Sequence, residues 1–211
     1  MESSAAIWEI LARDHRDVVD SGELARLALR LGRDPRLVAR HLRRSAYLVP
    51  LFKGFYYVRT AEERALHTPR LNPLEIFAVA ARAKGLGPWY AGLHSALREN
   101  GLTHEFRRDE WIVSTNLYRP NGVRIGGHRF VIHKWRPELV KFGIRKDRPY
   151  PYSDAEKTVL DLAYLDLWRV RKGHAPAGEW REYLDRVNPK TIAKYARRYP
   201  PGLRRLLEEA P

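Results

Sequence analysis

The stretch Asp34-Pro-Arg-Leu-Val-Ala-Arg-His-Leu-Arg-Arg-Ser45 predicts a helix with arginines along one side and aliphatic side chains along the other. The arginines on that side are Arg36, Arg40, Arg43 and Arg44. Because an α-helix turns by about 100° per residue, they cover about a third of its circumference, and Val38 and Leu42 project from the opposite side. Asp34 is predicted to cap the helix, and Pro35 fits the first turn, where no N–H is needed. One face can therefore pack while the other meets a polyanion.

The flanking sequence places this helix third in a series. A helix is predicted over residues 5–13, and a second one begins at Asp20 or Ser21 and ends at Gly32. Residues 47–52 and 55–58 are β-type runs separated by Lys53-Gly54, a pair typical of a tight turn. Three helices followed by a hairpin are the order of a winged helix-turn-helix, in which the hairpin lies beside the helix that reads DNA.

Positive charge concentrates in this part of the chain. Between Arg33 and Arg59 there are seven basic residues and one acidic residue. Lys53, at the predicted hairpin tip, is placed for a backbone phosphate. The candidate DNA-binding residues are Ser21, Arg33, Arg36, Arg40, Arg43, Arg44 and Lys53. An isolated basic helix would more simply be a solvated surface, and it is the order of the neighbouring elements that favours DNA; which arginines read bases and which bind phosphates stays open.

The composition agrees with a polyanionic partner. The 211 residues carry a net charge of +14, and 44% are hydrophobic, which is enough for a packed core. The absence of cysteine excludes disulfides and thiolate metal sites. No glutamine, a single methionine and 30% charged residues suggest a heat-adapted source, although a high-GC genome also favours arginine.

The N-terminal segment has charges at Glu9, Arg13 and Asp14, and neither end carries an apolar run of the length of a signal peptide or membrane span. We therefore expect a cytoplasmic protein with no membrane partner.

A second domain is predicted from residue 69 onward. One helix is predicted over residues 72–85. A second helix follows the segment 88–90 and ends at Asn100. Strands are predicted at 111–115, 123–125 and 129–133, with turns at 121–122 and 126–127, which indicates a small antiparallel sheet. Ser153-Asp-Ala-Glu156 reads as a capping box that opens a helix to about Trp168, and three short helices begin near Glu179, Asn188 and Pro200.

The predicted fold class is therefore α+β. Residues 1–68 form the winged helix-turn-helix domain, and residues 69–211 form a mixed α/β domain with a small antiparallel sheet and C-terminal helices.

Three segments of the chain resemble the AbiEi family, the antitoxin and transcriptional-regulator half of the abortive-infection AbiE toxin–antitoxin systems. The segments are Leu51-Phe-Lys-Gly-Phe-Tyr-Tyr57, Tyr90-Ala-Gly-Leu-His-Ser-Ala-Leu-Arg-Glu-Asn-Gly-Leu102 and Ser153-Asp-Ala-Glu-Lys-Thr-Val-Leu-Asp-Leu162. The resemblance implies a DNA-binding N-terminal domain that represses its own operon, and a C-terminal domain that neutralises a nucleotidyltransferase-like toxin. The implied DNA partner is a double-stranded operator, an inverted repeat bound by a monomer or a dimer.

Two further basic regions could extend the DNA footprint. Residues 119–148 hold nine Lys or Arg against two acidic residues, and a helix starting at Asn188 has basic residues opposite aromatic ones. The candidates for this secondary basic surface are Arg124, Arg129, Lys134, Lys190, Lys194, Arg197 and Arg198. The alternative, which we favour here, is a solvated or ion-paired surface.

No catalytic residue, metal site or cofactor is predicted, and the chain is not expected to be an enzyme. The spacing of Ser153, Asp154 and Glu156 fits helix capping. Zinc ligands on a helix would need a spacing of four residues, which the set His94, His104, His128 and His133 does not have. Two other functions stay open. One is a protein-interaction module that binds a toxin enzyme without reading DNA sequence. The other is a nucleic-acid enzyme, which would require Asp109, Glu110 and Glu156 to converge.

Overall fold

The computed structural model describes residues 2–14 and 16–209 and divides them between two compact units. The first unit comprises the chain up to Leu86 together with Val123–Arg129, and the second comprises Gly87–Gly122 and the chain from Phe130 onward. Each unit combines helices with sheet strands, so the α+β fold class is confirmed.

The first unit begins with three helices and a small sheet. Its elements are α1 (Glu2–Arg13), β1 (Val18–Asp20), α2 (Ser21–Arg30), α3 (Pro35–Arg44), β2 (Leu48–Pro50), β3 (Phe55–Val58), α4 (Ala61–Ala65) and α5 (Pro73–Lys84). The strands are ordered β1-β3-β2, and both pairs are antiparallel.

The starts of α2 and α3 are those that the sequence predicts, whereas α1 begins at Glu2 rather than at residue 5. The Asp20 carboxylate accepts hydrogen bonds from the backbone N–H groups of Gly22 (2.8 Å) and Glu23 (2.9 Å) at the start of α2. Asp34 does the same for α3, where the Arg36 N–H lies at 2.7 Å. These bonds satisfy donors that a helix start leaves without intrahelical partners, so both helices begin where an aspartate can cap them.

The predicted hairpin turn is also confirmed. The Phe55 N–H donates to the Phe52 carbonyl at 2.9 Å, which closes a tight turn over Lys53 and Gly54. Gly54 has a φ of +83°, a conformation that glycine adopts without steric cost.

The first unit extends beyond residue 68, where the sequence analysis placed the domain boundary, because α5 packs on the hairpin. The Phe77 ring meets the Phe52 ring edge-on at 6.2 Å, and Lys84 Nζ lies 5.6 Å from the centre of the Phe55 ring. Phe77 is fully buried. The contacts of α5 thus assign it to the first unit.

The second unit contains the remaining elements. They are β4 (Trp89–Ala91), α6 (Leu93–Glu99), β5 (Asp109–Ser114), β6 (Arg119–Ile125), β7 (His128–Lys134), a 3-10 helix (Pro137–Val140), β8 (Ile144–Arg145), β9 (Tyr152–Ser153), α7 (Ala155–Arg171), a 3-10 helix (Glu179–Arg186), α8 (Pro189–Ala196) and α9 (Pro201–Glu208). The end of β6 and the start of β7 fall in the segment Val123–Arg129, which belongs to the first unit.

The large sheet differs from the predicted antiparallel one. Its strand order is β6-β7-β5-β4-β9-β8, and β4 pairs antiparallel with β5 but parallel with β9. Residues 89–91, which the sequence analysis treated as the approach to a helix, form the strand β4. A run of three residues is too short to show the alternation by which a strand is predicted.

Of the two predicted glycine turns, one is confirmed and one is wrong. Gly126 and Gly127 form the turn between β6 and β7, and a Cβ atom added to Gly126 would lie 2.2 Å from Ile76 Cγ2. Asn121 and Gly122 lie inside β6 instead. Gly122 has a φ of +84°, a local irregularity that glycine permits within a strand.

The capping box predicted from Ser153 is wrong by one residue. The residue that caps α7 is Asp154, whose carboxylate accepts a hydrogen bond from the Lys157 N–H at 2.8 Å. Ser153 ends β9, and its buried Oγ lies 2.7 Å from Thr158 Oγ1. The helix then continues to Arg171, beyond the predicted end at Trp168.

Candidate nucleic-acid interface

One side of α3 is an exposed, unpaired basic surface, which we call the arginine face: Arg36, Arg40, Arg43 and Arg44. All four side chains are exposed, and none makes a hydrogen bond or ion pair with another described residue. On the opposite side Val38 and Leu42 are 3% and 0% exposed, and they pack with α1 and α2 residues in the core of the first unit. Burial of these two side chains fixes which side of α3 meets solvent.

The other predicted DNA-binding residues lie in the same unit. The Ser21 N–H donates to the Gly54 carbonyl at 2.8 Å, so the start of α2 is held against the hairpin turn. Ser21, Arg33 and Lys53 are all exposed. The first residue of α2 therefore lies beside the hairpin turn.

The acidic residues nearest in sequence to the arginine face are occupied elsewhere. Asp34 and Asp20 accept backbone N–H bonds at the helix starts, and Glu23 pairs with Arg16 at 3.2 Å. The guanidinium groups of the arginine face are therefore available to an external anion.

Leu37 borders the arginine face but is not among the residues predicted from the sequence. Its side chain is 54% exposed and, at about 100° from Arg36 around the helix, it lies at the edge of the arginine face. It lines a shallow groove with Arg40, His41 and Arg44. A helical wheel would have found it, but an aliphatic residue in an amphipathic helix is ordinarily counted with the core.

The residues of the secondary basic surface divide between the units. Arg124 and Arg129 belong to the first unit, and the others belong to the second. Lys134, Lys190, Lys194 and Arg197 are exposed. Arg198 lies beyond the end of α8 with its guanidinium 4.8 Å from the centre of the Phe142 ring, so it is not a free cation. Arg124 Nη1 donates to the Gly127 carbonyl at 3.3 Å.

Two of the four histidines that the sequence singles out flank one tryptophan. His94 meets the Trp111 ring edge-on at 4.6 Å, and His133 stacks on it at 5.6 Å. Burial lowers the pKa of both to about 4; for His94 the nearby Arg107 adds to the effect and Glu179 opposes it. His94 Nδ1 lies 3.3 Å from Glu179 Oε2 without hydrogen-bond geometry, and His133 Nε2 has no hydrogen-bond partner among the described residues.

These two histidines predict a pH-dependent stability. Their pKa is lower in the folded chain than the unfolded value of 6.5, so the unfolded chain binds more protons between pH 6.5 and 4. We expect the free energy of unfolding to fall as the pH is lowered through this range, by up to about 3 kcal/mol for each histidine. Urea denaturation of the wild type and of the His94→Phe/His133→Phe variant at several pH values would measure the difference.

His104→Phe is the control, since His104 is exposed. It should keep the wild-type dependence on pH, whereas the double variant should lose a large part of it. If the free energy of unfolding depended on pH equally in the double variant and the wild type, burial would not lower the pKa of either histidine.

The acidic residues considered for catalysis do not form a metal site within the described part of the chain, where no group of three potential ligands occurs. Glu110 instead pairs with Arg98 at 2.9 Å and accepts a hydrogen bond from Ser95 Oγ. Glu156 Oε1 accepts from the Asn188 N–H at 3.1 Å. These carboxylates hold neighbouring elements together.

A buried polar cluster joins two of the segments on which the family resemblance rests. Tyr90 in β4 donates its hydroxyl to Asp161 Oδ2 in α7 at 2.8 Å, and Lys157 Nζ donates to Asp161 Oδ1 at 3.0 Å. Lys157 and Asp161 are both 0% exposed. Nearby, Asn100 Nδ2 donates to the Ser153 carbonyl at 2.9 Å. The two segments therefore converge in the core of the second unit.

Comparison with known proteins gives a fold relationship only. No protein-family model matches the chain, and no curated protein matches it. The structure is similar to the crystal structure of the Rv2827c protein from Mycobacterium tuberculosis, with a TM-score of 0.63 over 95% of this chain and 73% of that chain. The sequence identity is 16%, so the likeness concerns the fold. Among the described residues, no helix is long and apolar enough to cross a membrane.

Proposed function

We propose that the protein is a sequence-specific DNA-binding transcriptional regulator whose first unit is a winged helix-turn-helix. In this proposal α3 enters the major groove, which is wide enough to admit a helix, and the β2–β3 hairpin is the wing. The observation that carries the proposal is the arginine face, four exposed and unpaired guanidinium groups on a capped helix whose other side is buried.

The geometry around the hairpin supports a phosphate-binding role for its tip. Lys53 supplies a cation, and Ser21 supplies a hydroxyl at the start of α2. The Ser21 N–H itself is bonded to Gly54, which keeps these two elements together. Contacts of this kind set the position of the reading helix on the duplex without reading the bases.

The proposal also covers the biological role that the AbiEi resemblance implies. The operator would lie upstream of the protein's own gene, and the second unit would bind a nucleotidyltransferase-like toxin. A second candidate, in which protein binding is the main function, is favoured by Phe106. This aromatic side chain is 89% exposed in the loop between α6 and β5.

The experiment that tests the proposal is a titration of the purified protein with its own upstream DNA and with a scrambled duplex of equal length, repeated at several salt concentrations. A preference of about 100-fold, equal to about 2.7 kcal/mol, would support sequence reading. Equal affinities with a steep salt dependence would contradict it, because counterion release alone produces that result. That result would favour the second candidate function, binding of a protein partner.

A further prediction concerns the contribution of Leu37 to base recognition. An aliphatic side chain beside groove-reading arginines is suited to contact the C5-methyl group of thymine, which only that base carries in the major groove. We expect Leu37→Ala to lower operator affinity about fivefold, equal to about 1 kcal/mol, and to reduce the preference for one A·T pair. Replacement of each operator thymine by uracil, with both proteins, would measure this.

Leu29→Ala is the matched control, since Leu29 on α2 is 65% exposed and lies outside the arginine face. If uracil lowered the affinity of the wild type and of Leu37→Ala equally at every thymine, Leu37 would have no part in base recognition.

A further inference from the structure

The second unit contains a cavity of about 440 Å³ that the DNA-binding proposal does not use. Aromatic and basic side chains dominate its lining, among them Tyr118, His133, Trp135, Tyr164, Trp168 and Lys172. A volume of this size is within the range of small-molecule sites in proteins, about 300–1,000 Å³. The cavity can therefore hold a small molecule.

The aromatic part of the lining is suited to bind a planar ligand. Tyr118 and Trp168 are 40% and 37% exposed, an unusual exposure for two rings of this size that line the same concave site. Trp135 and Tyr164, which also line it, meet edge-on at 5.2 Å. Exposed rings in a concave site are surfaces on which nucleobases stack, since every base has a π-face.

The charged part of the lining selects an anion. Lys134, Arg136 and Lys172 all line the cavity and all are exposed, and no acidic residue is among the described residues that line it. Lys172 Nζ lies 4.0 Å from the centre of the Trp168 ring, which places a cation directly at an exposed ring. A ligand that combines an aromatic plane with negative charge would satisfy both features.

A buried polar atom gives an independent indication of a ligand. His133 lines the same cavity and is only 8% exposed, yet its Nε2 has no hydrogen-bond partner among the described residues. Buried polar atoms in proteins are nearly always hydrogen-bonded, so such an atom marks a place where a partner is missing. The exocyclic and ring groups of a nucleobase are partners of the required kind, and they would reach this solvent-shielded nitrogen when the His133 ring turns into the cavity.

We propose that this cavity binds a nucleoside phosphate, with the base against the Trp168 and Tyr118 rings and the phosphates at Lys134, Arg136 and Lys172. The inference does not depend on DNA binding by α3, because all of these residues belong to the second unit.

The test is a calorimetric titration of the full chain with ATP, adenosine, tripolyphosphate and a short single-stranded oligoadenylate. We expect ATP to bind about tenfold more tightly than adenosine and than tripolyphosphate, because each of these lacks one half of the recognised chemistry. Trp168→Ala and Lys172→Ala should each weaken ATP binding about tenfold.

Lys190→Ala and Phe106→Ala are matched controls, since both residues are exposed and lie outside the cavity lining. They should leave ATP binding unchanged, and circular dichroism should show that all four variants stay folded. Three results would overturn the proposal: no binding of ATP at millimolar concentration, equal binding of ATP and tripolyphosphate, or binding of the oligoadenylate alone. The last would make the cavity part of a surface for single-stranded nucleic acid.

Discussion

Replacement of Arg40 and Arg43 by alanine is expected to lower the affinity of the protein for its operator at least about 30-fold. An arginine that binds guanine in the major groove contributes about 1–3 kcal/mol of discrimination, so two such residues contribute about 2 kcal/mol or more. Both side chains are exposed and neither pairs with another described residue. Their removal therefore breaks no contact within the described part of the chain, and the loss should appear in binding rather than in stability.

The dependence on salt separates base reading from phosphate binding. A guanidinium on phosphate weakens binding to every duplex, and its loss reduces the slope of log K against log salt by about one. A guanidinium on guanine leaves the affinity for a scrambled duplex nearly unchanged and lowers the preference for the operator. The single variants Arg40→Ala and Arg43→Ala, each titrated with both duplexes, assign each residue to one class.

The control for total charge is Arg204→Ala/Arg205→Ala. These residues are exposed on α9 in the second unit, so the double variant removes the same charge without changing the arginine face. We expect its operator affinity to change less than about threefold, since an exposed charge that makes no direct contact with the duplex acts only through the screened field. Equal losses in the two double variants would mean that net charge, rather than the arginine face, determines binding.

The structure agrees with the sequence most closely where a single residue has one local role. Asp34 and Pro35 begin a helix because of their own chemistry, and the Lys53-Gly54 turn depends on one glycine with positive φ. Such signals are read from a few neighbouring residues and do not depend on the rest of the fold.

The predictions that failed depend on contacts between distant parts of the chain. Strand β4 exists because it pairs with β5 and β9, which are remote in sequence. Ser153 belongs to β9 rather than to the helix cap for the same reason. Helix α5 belongs to the first unit because Phe77 meets Phe52, a contact that no local pattern reveals.

The candidate sites show the same division. The arginine face was predicted residue by residue, because the period of an α-helix is sufficient to place it. The aromatic and basic cavity could not be predicted, since it combines Tyr118, Trp135 and Lys172 from three separate parts of the chain. The sequence does not show whether a histidine ring nitrogen has a hydrogen-bond partner. For the Nε2 atom of His133, this is known only from the fold.

The buried pair of Lys157 and Asp161 leads to the second large prediction. Lys157→Met is expected to lower the free energy of unfolding by about 3–5 kcal/mol, because it leaves the Asp161 carboxylate buried without its cation. Among the described residues, only the hydroxyls of Tyr90 and Tyr199 would remain to solvate that carboxylate. Asp161→Asn should cost a similar amount by leaving the ammonium unpaired. Chemical denaturation monitored by circular dichroism would measure both.

The double variant Lys157→Met/Asp161→Asn tests whether the two residues act as a pair. Its loss should be smaller than the sum of the single losses by more than about 1 kcal/mol, since it leaves no unpaired charge and keeps an acceptor for the tyrosines. Lys190→Met, an exposed substitution in α8, should change stability by less than about 0.5 kcal/mol. Additive losses in the double variant would show that the pair is not coupled.

The dependence on pH then separates loss of charge pairing from loss of packing in Lys157→Met. Burial raises the pKa of Asp161 above its ordinary value, and the ammonium of Lys157 opposes that rise. Without the ammonium, the folded variant holds a proton on Asp161 at a pH where the unfolded chain has released it. The stability of the variant relative to wild type should therefore be greatest at low pH, where Asp161 is protonated in both folded proteins, and decrease as the pH rises through the range in which only the variant holds that proton. A loss that is constant between pH 4 and pH 8 would mean that lysine stabilises the core through its contacts with the surrounding aromatic rings alone, the nearest of which is Phe142 at 4.4 Å.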